Sequence, residues 1–502
     1  MRPRIAYSAE DVKAAVADEL RTSAPDRLLR KAAAGLAAST AQELKQRCGT
    51  IYGRRVVLLV GIGNNGADAL LAGISLRRRG VRVDAILTGD TAYEPGVRRL
   101  KSAGGRLISG TNLEDARRAL DRADIVLDGI IGESGIGGLR GPAAGVVAAI
   151  PADAFVIAVD LPSGIEPDSG EIHGPHVQAD LTVSFAAWKP ATFLPPACYA
   201  AGELRFVDVG VAVVAAEPLV RSLTGPEIAA RWPVPGRADH KYTRGVLGVV
   251  AGSDTYPGAA VLACLGALES GVGIIRYIGP RRVTDHVLTH VPESVPGMGQ
   301  VQAWLLGSGV EDDPNQDIAI DTALKSGLPC VVDAGALQAC VERRWAGERT
   351  TTADRILLTP HAGELARILR IVGINAERSE IEARPVYFGR VLARAIDVTV
   401  LVKGATTVVA APDGVVAAQS EAPPWLATAG AGDVLAGVAG ALMAAGLNAL
   451  DAGEISAHVH GRAAAAAHRD RSGGPIHATA VARAVAGVVG ELLTAAGEPT
   501  TL

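Results

Sequence analysis

Short runs of β-branched and aliphatic residues alternate with longer Ala-, Leu- and Arg-rich segments of helical period along this chain, and the whole alternation happens twice. Parallel strands cannot be joined by a tight turn and need a crossover, usually a helix. This order therefore commits the chain to α/β architecture with mainly parallel sheets. In the first half the apolar runs at 55–60, 81–87, 125–128, 155–160, 181–185 and 204–209 read as buried strands, with helices ahead of them over 8–48. Turn residues then gather over 215–242, as in Trp232-Pro-Val-Pro-Gly-Arg237, which reads as a linker and the start of a second domain. The second half restarts at 246–251 and continues through 274–278, 304–306, 331–333, 356–358, 398–402 and 407–410. Two domains are expected, over residues 1–214 and 222–495, and 502 residues suffice for two sizeable cores.

Charge narrows the partners. The chain is 20% charged with a formal net charge of −4, and its Arg clusters, such as Arg77-Arg78-Arg79, are short and isolated. Neither nucleic acid nor an anionic membrane is expected to bind it. The five cysteines (Cys48, Cys198, Cys264, Cys330, Cys340) are odd in number, scattered and without C-x-x-C spacing, which points to reduced thiols in a cytoplasmic protein and no zinc site. No apolar stretch follows Met1-Arg-Pro-Arg, and no window approaches twenty uninterrupted apolar residues, so neither an export signal nor a membrane span is expected.

The first strand of the first half runs into Gly61-Ile-Gly-Asn64-Asn65-Gly66-Ala67-Asp68, which opens a helix. Glycines after a buried strand make a phosphate-accommodating turn at the carboxyl edge of a sheet, but paired asparagines place amides where a plain phosphate loop has bare backbone. Asn and Asp oxygens suit a hard cation or a ribose or nicotinamide; a helix start with Asn caps is the simpler alternative. Further strand ends carry Asp128 before the Gly-rich loop Gly132-Glu133-Ser134-Gly135-Ile136-Gly137-Gly138, Asp160 in Val-Asp-Leu-Pro-Ser163-Gly, and Phe185-Ala-Ala-Trp-Lys189-Pro. Three carboxyl-edge loops bearing Asp, Asn, Ser and Gly predict a polar pocket.

This ordered set resembles the NAD(P)H-hydrate epimerase domain, over about residues 8–213. The resemblance implies a Rossmann-like three-layer αβα fold in which Asn64, Asn65, Gly66, Ala67 and Asp68, together with Gly132 to Gly138, bind the hydrated nucleotide. It further implies that Asp160 touches the substrate as a catalytic residue and that Asn65, Asp128 and Ser163 surround a potassium ion, for which oxygen-only ligation is chemically apt. Lys189 is a candidate for acid–base or phosphate work, with an ordinary surface lysine as the alternative. Ala67 and Ala69 stand where the family commonly has glycine, and the loop from Gly132 to Gly137 is longer than usual, which leaves its register open.

In the second half, Ala427-Thr-Ala-Gly-Ala-Gly432-Asp433-Val-Leu-Ala-Gly437 sets small residues ahead of one carboxylate and an apolar helix expected over 434–445. Small residues let the backbone approach a ligand, and free N–H groups at a helix start face an arriving phosphate, so Asp433 would sit where a substrate hydroxyl meets that phosphate. An ordinary helix cap is the alternative. Upstream lie His240-Lys-Tyr-Thr-Arg-Gly245, Gly252-Ser-Asp-Thr-Tyr-Pro-Gly-Ala259, Leu306-Gly-Ser-Gly309, Thr359-Pro-His361-Ala-Gly-Glu364 and Lys403-Gly404-Ala405-Thr406-Thr407. A lone His at a strand end is as often structural as functional, and a lysine before a turn as readily solvated as phosphate-bound.

Together these motifs resemble the ADP/ATP-dependent NAD(P)H-hydrate dehydratase, a ribokinase-like α/β fold, over about residues 222–495. The resemblance implies that Ala259, Gly309, His361 and Asp433 hold the hydrated substrate, and that Lys403, Gly404, Ala405, Thr406, Thr407 and Gly432 hold ADP or ATP. Glu364 would orient magnesium-bound water, or else serve as a cap. Departures are Gly335 where a second aspartate is usual, and Ala429 and Ala431 where Gly or Ser is frequent.

The expected activity is bifunctional repair of hydrated NADH and NADPH by a cytoplasmic homo-oligomer acting on small molecules. One domain, with K⁺, would interconvert the R and S hydrates at C6. The other, with Mg²⁺, would dehydrate the S form using ADP or ATP, Asp433 serving as base. The alternative is a ribokinase-like small-molecule kinase fused to a non-catalytic nucleotide- or protein-binding module, since the Gly-Ala-Gly-Asp string serves kinases too.

Overall fold

The structure is a computed structural model that describes residues 4–23, 26–133, 135, 137–214 and 216–497. It divides into two compact units, one spanning Ile5–Val220 and the other containing Arg221–Leu502.

A short strand β1 (Arg4–Ala6) precedes the first unit's helices Ala9–Thr22 and Arg27–Cys48. Its sheet is built from β2 (Arg55–Val60), β3 (Arg82–Leu87), β4 (Arg106–Ser109), β5 (Ile125–Gly129), β6 (Val156–Val159), β7 (Leu181–Phe185) and β8 (Glu203–Val207). The strand order is β4-β3-β2-β5-β6-β7-β8, and every pair is parallel. Alternate residues of β2 feed two cores. Val56, Leu58 and Val60 pack with Leu36, Leu44 and Leu70 on one face, while Val57 and Leu59 pack with Leu120, Val126 and Val146 on the other. Helices therefore cover both faces, which is why these strands read as continuous apolar runs. Sequence order reverses between β2 and β5, opening a crevice at their carboxyl ends. Strand β4 escaped the sequence reading because it is a short edge strand with Arg106 and Ser109 exposed and only Ile108 buried.

The expected linker carries structure. It holds β9 (Val220–Ser222) and the helix Gly225–Ala229, started by a capping box between Thr224 and Glu227 with Pro226 in the first turn. Arg221 pairs with Asp451 (2.6 Å) and with the buried Glu454 (2.7 Å), tying this segment to the helix Ala449–Arg469.

The second unit continues with β10 (Val246–Val250), β11 (Ile274–Ile278), β12 (Ser294–Pro296), β13 (Ala303–Leu306), β14 (Cys330–Val332), β15 (Ile356–Leu358), β16 (Thr399–Val402), β17 (Thr407–Ala410) and β18 (Val416–Gln419). The order β12-β11-β10-β13-β14-β15-β16 is parallel and repeats the reversal of the first unit, now between β10 and β13; β17 and β18 add antiparallel. The helices Pro257–Glu269 and Ala431–Ala444 lie almost backbone to backbone, because Gly266 and Gly437 leave no side chain between them. A β-carbon on Gly437 would fall 2.1 Å from the Ala263 carbonyl oxygen. The helix Ala478–Ala495 is long and apolar enough to cross a membrane, yet its Val481, Val485, Val488 and Leu492 belong to this unit's core. Cys264, Cys330 and Cys340 are buried here, whereas Cys48 and Cys198 in the first unit are partly exposed.

Candidate active sites

In the first unit the strand-end loops meet at the reversal between β2 and β5. Gly61 is required by close approach, since a β-carbon there would lie 1.7 Å from the Ile130 carbonyl oxygen. The helix Asn64–Arg78 starts from Gly63, so neither asparagine is its cap. Asn65 instead donates from Nδ2 to the Val159 carbonyl (2.5 Å), joining the β2 loop to the end of β6. Ala67 and Ala69 sit buried without displacing the helix start, so the two methyl groups in place of glycine fit.

Asp160 takes a left-handed backbone conformation (φ 70°), an uncommon state for a residue with a β-carbon. Its Oδ1 accepts from Ser184 Oγ (3.1 Å), the Phe185 N–H (3.3 Å) and Lys189 Nζ. Lys189 is 1% exposed and also donates to the Phe185 carbonyl, so it is a buried ion-pair partner rather than a surface lysine. A cleft of about 360 Å³ is lined by Asn64, Asn65, Asp68, Glu133, Asp160 and Lys189 on its polar side and by Val12, Phe185 and Val209 among its apolar walls. Gly66 and Ala67 do not line it, and Gly138 packs on Gly174. Ser134 and Ile136 lie outside the described residues. Gly132 abuts the Asn65 amide, and the Gly135 N–H closes a turn on the Gly132 carbonyl (2.9 Å).

Asp128 and Ser163 lie behind the cleft, both fully buried. Ser163 donates its N–H (2.8 Å) and its hydroxyl (2.6 Å) to the Asp128 carboxylate, which also accepts from the Ile130 N–H (3.2 Å). Burial pushes the Asp128 carboxyl up to about 6, against these hydrogen bonds. Among the described residues no Lys, Arg or His pairs with it, so this buried carboxylate lacks a countercharge. A weakly held monovalent cation fits that deficit.

In the second unit the loops after β10, β13, β14, β15 and β16 converge on the start of the helix Ala431–Ala444. That helix begins earlier than its expected 434, from Gly430 in the left-handed conformation, so Asp433 lies inside the first turn instead of preceding or capping it. The first-turn N–H groups have no intrahelical acceptor. Asp333, at the end of β14, accepts from Lys403 Nζ (2.7 Å), Thr359 Oγ1 (2.9 Å) and Ser308 Oγ (3.0 Å) and is 2% exposed. Lys403 also lies 3.6 Å from Glu364. Burial opposes its charge, but Asp333, Glu364 and Asp433 outweigh burial and raise its pKa. A β-carbon on Gly432 would lie 3.3 Å from Lys403 Nζ, so the lysine stands over the helix start.

Asp433 is pushed up to about 7, first by burial and then by the Asp333 carboxylate, with Lys403 and Ser308 opposing. It lines a cleft of about 650 Å³ together with Ala259, Gly309, His361, Glu364 and Arg367. His361 plays the structural part left open for it, since Nδ1 accepts from the Gly363 (3.1 Å) and Glu364 (3.2 Å) N–H groups. Its own N–H donates to Glu364 (2.8 Å), a reciprocal cap. Accepting at Nδ1 places the proton of a neutral ring at Nε2. Lys403 to Thr406 form the turn between β16 and β17, which Thr407 opens, with Gly404 and Ala405 exposed and Thr406 buried. Asp333, Tyr256 and Arg367 were not singled out from the sequence. Asp333 carried the same signal as Asp128 and Asp160, an acid ending a buried parallel strand; Tyr256 lay inside the Gly252–Ala259 motif, and Arg367 carried no signal.

Among the described residues no cluster of three His, Cys, Asp or Glu side chains forms a metal cage. Magnesium generally keeps several waters and binds through substrate phosphates, so the lone Glu364 beside Lys403 is compatible with it.

The NAD(P)H-hydrate dehydratase family matches residues 247–485, and the family described as YjeF-related protein N-terminus matches residues 25–191. A bifunctional NAD(P)H-hydrate repair enzyme of Mycobacterium tuberculosis is 41% identical over 450 residues, covering 88% of this chain and 89% of its own. One from Mycobacterium leprae is 39% identical over 484 residues, covering 94% and 96%. A crystal structure of ADP/ATP-dependent NAD(P)H-hydrate dehydratase from Bacillus subtilis, co-crystallised with ATP and Mg²⁺, aligns at 26% identity and a TM-score of 0.48, covering 54% of this chain and 98% of that one. The chain belongs to the family of bifunctional NAD(P)H-hydrate repair enzymes.

Proposed function

We propose that this chain repairs hydrated NADH and NADPH in two steps, exchanging the R and S hydrates at C6 in its first unit and dehydrating the S hydrate at the expense of ADP or ATP in its second. Family membership supports the pairing, and the observation that carries the second step is Asp433. It is a carboxylate in the first turn of a helix, poised near neutrality, with one cation beside it and a cleft in front.

Water is a poor leaving group, and phosphorylation of the C6 hydroxyl replaces it with phosphate. Asp433, ionised, takes the hydroxyl proton as the oxygen attacks the terminal phosphoryl group. Lys403 and the first-turn N–H groups bear the charge that develops there, and Asp333 with Thr359 and Ser308 holds the ammonium in place. Loss of phosphate from C6 and of a proton from C5, whose bonding pair becomes the C5–C6 double bond, then restores the dihydronicotinamide. Ala259, Gly309 and His361 are assigned to the hydrated ring and ribose, and the Lys403–Thr407 turn with Gly432 to the adenine nucleotide. Glu364 would help hold magnesium, which would supply charge neutralisation at the phosphates. Potassium is assigned to Asn65, Asp128 and Ser163, on the strength of the uncompensated buried carboxylate.

Purified protein given mixed R and S hydrates with ADP or ATP in turn is expected to convert the whole mixture to NADH or NADPH. A phosphorylated product that accumulates without return of the dihydronicotinamide would instead establish a kinase. Asp128→Ala is expected to weaken the response to potassium and slow R/S exchange while leaving dehydration of pure S hydrate unchanged. Equal exchange in variant and parent, with and without potassium, would remove the cation from the mechanism.

A further inference from the structure

We propose that Asp68 is the acid–base residue of the exchange site, passing protons between the C6 hydroxyl and the ring nitrogen of the hydrated nicotinamide while the bond between them opens and recloses. The inference rests on the epimerase reading of the first unit.

Epimerisation at C6 changes no oxidation state and needs only a group that both gives and takes a proton beside that carbon. Asp160 is poorly placed to be that group, because its Oδ1 already accepts from Ser184, the Phe185 N–H and Lys189, its buried ion-pair partner. Asp68 differs in each respect. It projects from the second turn of the helix Asn64–Arg78 into the same cleft, is 7% exposed, and has an Oδ1 with no hydrogen-bond partner. Leaving a buried polar oxygen unbonded is costly, so such an atom calls for a ligand. Among the described residues no Lys, Arg or His pairs with Asp68. The titratable groups facing the cleft beside it are Asp26, Tyr93, Glu133, Asp160 and Lys189. Burial, and then the Asp160 charge, raise the Asp68 carboxyl well above the usual carboxylate range. Glu133 shares the cleft, but Lys189 and Lys13 oppose the upward shift that burial gives it.

A neutral carboxyl can do both transfers from one side. Its O–H delivers a proton to N1 as the C6–N1 bond breaks, the bonding pair staying on nitrogen. Its carbonyl oxygen takes the proton of the C6 hydroxyl, whose O–H pair becomes the second C6–O bond of an aldehyde. Rotation about C5–C6 presents the other face, and the same transfers in reverse reclose the ring. The carboxyl ends as it began and no co-reactant is consumed.

The test uses the full chain carrying Asp68→Asn, an isosteric change that cannot cycle the proton. R/S exchange at saturating hydrate is expected to fall by at least about 10²-fold, the lower end of the range for a lost acid–base group, with KM within a few-fold. Dehydration of S hydrate by the same sample should be unchanged, which reports that the chain is folded. The parent supplies a second readout independent of any variant. Its exchange rate should fall as pH rises, because the working form is protonated, and the C6 hydroxyl should keep its oxygen in H₂¹⁸O during a single turnover. Exchange in the variant within a few-fold of the parent, a loss in KM alone, a parental rate that climbs with pH, or uptake of one solvent oxygen per exchange each overturns the proposal. A parent that exchanges nothing refutes the epimerase reading instead.

Discussion

At the scale of single residues, Asp433 and Asp333 form an unequal pair of acids. Asp333 is surrounded by three donors, while Asp433 faces the cleft with a raised proton affinity set first by its burial and then by its neighbour's charge, Lys403 and Ser308 opposing. As a base Asp433 must be ionised, so dehydration should rise with pH and level off above about 7, opposite in direction to the R/S exchange. Asp433→Asn removes the proton acceptor but keeps the shape. A loss of roughly 10²–10⁴ in dehydration is expected, with nucleotide binding retained. Measured dehydration within a few-fold of the parent would make Asp433 a helix residue only. Asp333→Asn removes a like charge and frees Lys403 to face Asp433, so the rising limb of the pH–rate profile should move to lower pH. A limb that stays in place would show that Asp333 does not set it. Acids ending apolar strands were visible in the sequence because the strand pattern announces the carboxyl edge. Which acid gathers several donors and which faces the cleft was not visible, since that depends on donors such as Ser184, Ser308 and Thr359 that come from other segments.

At the scale of elements, long apolar segments were legible and short or polar ones were not. Strands β2, β5 and β7 bury nearly every residue and announce themselves, whereas β4, β12 and β18 are short edge or near-edge pieces with no distinct period. The start of the helix Ala431–Ala444 was misplaced for a physical reason. Gly430 and Gly432 looked like loop, but only the first needs the left-handed conformation, and the helix begins directly after it. The crossing of this helix with Pro257–Glu269 depends on Gly437 and Gly266. Gly437→Ala should force the helices apart at an overpacking cost of about 1–3 kcal/mol, seen as a lower denaturation midpoint with an unchanged slope. Since Ala259 and Asp433 ride on these two helices, dehydration should drop as well. A neutral Gly437→Ala would mean the crossing tolerates a methyl.

At the scale of the whole molecule, the same strand order with one reversal is used twice, and each reversal holds one cleft. The doubling was legible in the repeated alternation; the clefts were not, because their walls come from segments far apart in sequence, such as Val12 with Val209. Two clefts with separate chemistry predict separable defects. With mixed hydrates and ADP, a chain lacking only exchange, as expected of Asp68→Asn, should consume the S hydrate at the parental rate and then slow to the spontaneous rate of R-to-S conversion. A progress curve without that break would show that the R form is used by another route.

The three buried cysteines give this molecule an internal clock. Cys264, Cys330 and Cys340 all lie within the second unit, and burial holds each thiol far from its reactive thiolate form, up to about 12 for Cys264 and Cys340. An alkylating reagent can mark them only in molecules whose second unit has opened, whereas Cys48 and Cys198 of the first unit are partly accessible throughout. The pace at which those three sites acquire label, followed by mass spectrometry with and without ADP, therefore times how often the dehydratase half breathes and how firmly its nucleotide holds it shut.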